Sequence, residues 1–204
     1  MAATNTASSP TASPSPKVDS AALAVITKRA ALSPEAFSSD GLPAAKSEES
    51  KVYYLLNRCG RDPLNADRYI VAGYRRTWEN TSIYASNKVH GYLGIPVDRV
   101  VKEVRSRVST CSQETRDDGT VSTFAGELTL DPVTGIAEEY GQFGFCVTWK
   151  DAKGEGAFCY AYVALQRPEY ALISSVTIAH GDLAEAQRLA KKYARTSATF
   201  LLTI

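Results

Sequence analysis

The run IAEEYGQFGFCVTWKDAKGEGAFCYAYVAL, residues 136–165, decides the reading of the fold. Two apolar, aromatic-rich arms, residues 136–149 and 157–165, flank a polar stretch carrying Gly154 and Gly156, which is the pattern of an antiparallel hairpin. If paired residue numbers sum to 305, Phe143 faces Tyr162, Phe145 faces Tyr160 and Val147 faces Phe158, so one face of the hairpin is a ladder of large side chains. The opposite face then pairs Gly144 with Ala161, Cys146 with Cys159 and Thr148 with Ala157, all small enough to admit a helix or a partner close to the sheet. Side chains directly opposite each other lie about 4.5–5.5 Å apart at Cβ, so a Cys146–Cys159 disulfide is geometrically conceivable. In a reducing compartment the two thiols stay free, and free, partly buried thiols are the reading adopted for all four cysteines. Cys146 and Cys159 are therefore the positions at which to look for modification.

Working outward, residues 120–130 predict a strand before this hairpin, joined to it by the turn DPVTG at 131–135, and residues 172–178 predict a strand after it. Asp182 opens a helix, with Glu185 three residues on as in a capping box and Leu183, Ala186, Leu189, Ala190 and Tyr193 on its buried side. The closing SATFLLTI is apolar almost throughout and predicts a terminal strand over residues 198–204. Toward the N-terminus, Val97, Val100, Val101, Val104 and Val108 recur at helical spacing, with Arg99, Lys102, Arg105 and Arg107 mostly off that stripe. Three further helices are expected: residues 20–31; a run capped by Ser47 with Glu48 and Glu49 and stopped by Gly60; and a run opened by Asp62 and Pro63 that carries Tyr69, Ile70, Ala72, Gly73, Arg76 and Trp78. Residues 1–17 are Ala, Ser, Thr and Pro with little to bury, which predicts a disordered arm. The expected organisation is α+β. An arm (1–17) and a helix with linker (18–46) precede one domain (47–204), helical over 47–110 and sheet-rich over 118–204. N-terminal helices are followed by a mainly antiparallel sheet of about five strands, with a helix before the last strand.

The balance of 23 Lys and Arg against 22 Asp and Glu conceals a basic stretch: residues 58–107 hold ten cations and five acids, interleaved with Tyr69, Tyr74, Trp78, Tyr84 and Tyr92. An arginine-aromatic surface of this kind grips phosphates or an acidic protein. Arg68, Tyr74, Arg75, Arg76 and Trp78 are the candidate partner contacts. The arm before them is not basic, unlike that of a simple RNA-packaging protein, so nucleic acid is possible but not favoured. No apolar run is long enough for a membrane span, and the first 16 residues carry neither a charge nor an apolar core, which predicts a cytoplasmic or organelle-interior protein that is not secreted.

No nucleotide-binding glycine loop, HExxH or GxSxG occurs, and the cysteines lack zinc spacing. No cofactor, metal or catalytic residue is predicted. His90 and His180, each beside a glycine, read first as structural, and with Trp78 they outline the pocket that an enzyme or ligand carrier would use between sheet and helices. Glu138 and Glu139 with Glu127 could form a carboxylate pair, but adjacent strand positions face opposite ways. Cys59, at an expected helix C-terminus, is a weak nucleophile. Asn80, Thr81, Ser82 matches a glycosylation acceptor that carries no weight without export.

FCYAYVALQ from Phe158, VTIAHGDLAEAQRLAKKY from Val176 and TFLLTI from Thr199 resemble the small C-terminal domain of phycobilisome linker proteins, over about 45 residues, and RYIVAGYRRTW from Arg68 resembles linker helices. The resemblance implies a non-catalytic assembly protein threading between pigment proteins. The leading expectation is accordingly a structural, linker-type subunit making protein–protein contacts in a larger complex, with other subunits or with itself. The alternatives are a self-assembling virion or shell subunit, and a small ligand-binding protein or enzyme.

Overall fold

The computed structural model describes residues 18–50, 54–56, 63–137, 141–152 and 154–204. The arm expected over residues 1–17, Cys59, and the pair Glu138 and Glu139 lie outside them.

An eight-stranded sheet carries the fold: β1 (Ser47–Glu49), β2 (Ile70–Glu79), β3 (Ile83–Tyr92), β4 (Gln113–Thr115), β5 (Val121–Glu127), β6 (Gln142–Lys150), β7 (Glu155–Gln166) and β8 (Ala171–His180). In space the order is β1-β2-β3-β8-β7-β6-β5-β4, and every neighbouring pair is antiparallel. The hairpin register holds in full: Phe143, Phe145 and Val147 face Tyr162, Tyr160 and Phe158, and Gly144, Cys146 and Thr148 face Ala161, Cys159 and Ala157. As pleating requires, the two sets enter separate cores.

On the small-residue face lie α1 (Ser20–Ala30) and α3 (Leu183–Leu202). Asp19 caps α1 by accepting from the Ala22 N–H at 2.8 Å, and Leu23, Thr27 and Ala30, one helical turn apart, point inward. Gly91 of β3 lets this helix descend, because a Cβ there would stand 2.6 Å from Leu23 Cγ. Asp182 caps α3 through the Glu185 N–H, as expected. On the aromatic face lies α2 (Val97–Ser109), which buries the five predicted valines against Phe145, Tyr160, Tyr162 and Ile173.

Four expectations are corrected. The sheet has eight strands rather than about five, because the stretch expected to be helical over 47–110 contributes β1, β2 and β3. Glu48 and Glu49 do not start a helix; they lie opposite Arg76 and Arg75, so cross-strand cations rather than a helix dipole receive their charge. In β2 a bulge between Ile70 and Ala72 sends Ile70 to one core and Ala72, Tyr74 and Trp78 to the other, which breaks the alternation and gives a helix-like spacing. Finally, the chain ends in helix, not strand: Ser197, Ala198 and Leu201 continue the stripe of Ala186, Leu189, Ala190, Tyr193 and Ala194.

Candidate functional site

The five candidate contacts do not form one surface. Tyr74, Arg76 and Trp78 point to the small-residue face and are 5%, 8% and 0% exposed. Tyr74 donates to Glu48, which also accepts from Arg76 Nε at 2.7 Å; these donors hold the Glu48 carboxyl below the usual carboxylate range. A further Arg76 nitrogen donates to the Leu32 carbonyl, and Trp78 Nε1 donates to the Pro34 carbonyl at 2.6 Å with the Phe37 ring 4.6 Å away. These three residues clamp the segment after α1 and strand β1 onto the sheet. Arg75 projects to the opposite face and pairs with Glu49, while Arg68 lies over the Tyr69 ring at 4.9 Å.

The outlined pocket does not form either. Trp78 is paired with Ala85 and His90 with Gly73, and the two side chains emerge on opposite faces. His90 is wholly buried; burial first, and the nearby Lys88 charge second, push its pKa down to about 3, against a smaller upward pull from the Tyr54 backbone. His180 closes a turn before α3, its Nδ1 accepting from the Asp182 N–H at 2.8 Å. Asn80 is likewise engaged locally, where its Oδ1 accepts from the N–H groups of Ser82 and Ile83 and shapes the β2–β3 turn. Cys146 and Cys159 are disulfide-bonded and Cys111 is also in a disulfide, so the free-thiol reading is corrected. For Cys146 and Cys159 the physical reason is their direct opposition in the β6–β7 register.

The cleft with the most chemistry lies on the aromatic face, where α2 leaves β5 and β6 uncovered. It is a cavity of about 380 Å³ whose floor includes Phe124, Phe143 and Phe145 and whose polar walls include Arg105, Glu127 and Gln142. Phe143 is backed by Tyr162, the two rings parallel within 3° at 4.5 Å, and the Arg105 guanidinium carbon lies 5.4 Å from the Phe143 centroid. Arg105 is held there by donating to the Gln142 carbonyl at 3.1 Å. Opposite, a bulge between Phe124 and Gly126 resets β5, so that Glu127 lies across from Phe145 and joins the aromatic face. Gly126 takes φ of +115°, a conformation that L side chains rarely adopt. Among the described residues Glu127 has no ion pair with Arg105, and Gln142 Nε2 is buried without a hydrogen-bond partner.

Sequence reasoning reaches the floor, through the hairpin register, but not the walls. In the sequence Arg105 reads only as part of a solvated helix face, and Glu127 stands out only beside Glu138 and Glu139. The signal for Glu127 is Gly126, an isolated glycine within a strand pattern. Among the described residues, no group of three His, Cys, Asp or Glu side chains could hold a metal ion, and no helix is long and apolar enough to cross a membrane. No protein-family model matches the chain, and no curated protein matches it.

Proposed function

We propose that this chain is a binding domain whose recognition site is the cleft between α2, β5 and β6, and that it takes a small organic ligand with an apolar, flat body and polar ends. The observation that carries this reading is the pairing of an aromatic floor with Arg105 and Glu127 on separate walls, each left to meet a ligand rather than the other. A few convergent polar groups over an apolar floor orient a ligand without chemistry, so the role is non-catalytic. It moves the expected ligand pocket from Trp78, His90 and His180 to the β5–β6 end of the aromatic face. The disulfides favour an oxidising compartment over the cytoplasm, because thiols in the cytoplasm are kept reduced.

A second reading, the linker-type assembly subunit, is favoured by Val25, 54% exposed on α1 beside Ala24 and Lys28. Native mass spectrometry of protein purified gently from its source separates the two. A retained small molecule, lost when Arg105→Ala and Glu127→Gln are combined, supports the cleft. A defined protein complex that persists in that double variant transfers the function to the assembly reading.

A further inference from the structure

At the other end of the aromatic-side face, across β2, β3 and β8, the register assembles a different group of residues. Arg75 lies opposite Lys88 and Lys88 opposite Ser175; one step along, Thr77 lies opposite Ser86 and Ser86 opposite Thr177; one step the other way, Gly73 lies opposite His90. Two cations thus stand directly across from each other, an arrangement that is unfavourable unless an opposite charge joins them. Among the described residues the carboxylate acting on Lys88 is Glu49, and it is already paired with a terminal nitrogen of Arg75.

What remains is a set of buried polar groups short of partners. Arg75 Nε, Ser86 Oγ and both ring nitrogens of His90 are buried with no partner in hydrogen-bonding geometry, although the Tyr54 backbone lies near the imidazole, and Ser86 and His90 are 2% and 0% exposed. Lys88 is half-buried and, among the described residues, makes no hydrogen bond or ion pair; burial first and the Arg75 charge second push its pKa down. A buried polar group left unsatisfied keeps its full desolvation cost, which is larger where the group is charged. Ordered water could satisfy the hydroxyl and the imidazole, but water carries no charge to offset Arg75 facing Lys88. The Arg75–Glu49 pair, with side chains 29% and 46% exposed, forms the solvent-facing margin of this group at the β1–β2 edge.

We propose that Arg75, Ser86, Lys88 and His90 form a binding site for a phosphate-type oxyanion, either free or as the terminal group of a small metabolite. A tetrahedral oxyanion offers enough acceptors for a guanidinium Nε, an ammonium, a hydroxyl and one imidazole N–H together. The site shares no residue with the cleft at β5 and β6, so it stands or falls independently of the ligand bound there. Arg75 is the one candidate contact from the sequence that lies in it.

The test is titration of the full chain, in phosphate-free buffer, with inorganic phosphate and separately with a sugar phosphate, followed by calorimetry and by backbone amide shifts. The expected result is saturable binding with the largest shifts at Arg75, Ser86, Lys88 and His90. Affinity should fall about tenfold in Lys88→Gln and recover in Lys88→Arg. Ser86→Ala, a change small enough to leave the sheet folded, should weaken binding about threefold, and it keeps the test decisive if Lys88→Gln does not fold. Tighter binding of the sugar phosphate identifies the oxyanion as part of a larger ligand, and equal binding identifies free phosphate. Failure of both to saturate at millimolar concentration, or affinities unchanged in both Lys88→Gln and Ser86→Ala, would overturn the site.

Discussion

Asp40 shows how much a single half-buried carboxylate does in this fold. It sits after α1, in a one-turn helix over Ser38–Asp40, and accepts from Lys192 Nζ at 2.6 Å, from Arg188 at 3.2 Å and from the Tyr193 hydroxyl. Burial alone would raise its pKa, but these donors outweigh that effect and hold it at about 2, against an ordinary value of 3.8. A carboxyl whose folded pKa is depressed stabilises the fold above its unfolded pKa, and that stability is lost as pH falls through the folded value. The shift corresponds to about 2 kcal/mol. Asp40→Asn should therefore lower the urea-unfolding free energy by about 2 kcal/mol at pH 7, and the gap from wild type should narrow progressively between pH 4 and pH 2. An unchanged gap at pH 2 would mean that packing around Tyr193, not the charge, carries the effect.

At the scale of elements, α3 is the sharper case. The sequence that ends it and the chain, SATFLLTI, combines β-branched and apolar residues, and a short apolar run of that kind fits a covered strand and a buried helix equally well. Tertiary context decides: Ser197 donates to Ser174, which also receives the Asn87 amide, and Asn87 accepts from the Leu32 N–H, a buried chain that ties α3 to β8, β3 and the segment after α1. Leu201, 0% exposed, closes the same stripe. Leu201→Ala should cost about 2–5 kcal/mol in chemical denaturation, and Cα chemical shifts of residues 197–202 should be helical; strand-like shifts would return the chain to a strand ending. The elements legible in the sequence are those whose period is unbroken. The five valines of α2 and the odd and even sets of the 142–166 hairpin read correctly. Strand β2 does not, because its bulge at Ile70 and Ala72 interrupts the alternation. The cleft is half legible for the same reason: Phe143 and Phe145 follow from the hairpin register, whereas Glu127 reaches the aromatic face only through the bulge at Gly126.

For the molecule as a whole, the Cys146–Cys159 bond links β6 to β7 in the middle of the sheet, between the strands that carry the aromatic cleft and those that carry Arg75 and Lys88. The cysteines are 1% and 0% exposed in the core shared with α3, so the bond staples the interior and is not poised for exchange with a partner. The cross-link spans 13 residues of sequence, and closing a loop of about that size in the unfolded chain is worth about 3 kcal/mol. Replacing both cysteines with alanine should lower the unfolding free energy by roughly that amount, while the amide shifts of Phe143, Phe145, Lys88 and His90 stay close to wild type. Because the bond is buried, a mild thiol should reduce it in the folded protein no faster than the sheet opens, so reduction should follow the rate of unfolding and quicken in subdenaturing urea. Rapid reduction at zero urea would place the disulfide in a locally mobile strand. Free thiols in protein purified from its source under alkylating conditions would exclude an oxidising compartment, and the domain would there be about 3 kcal/mol less stable.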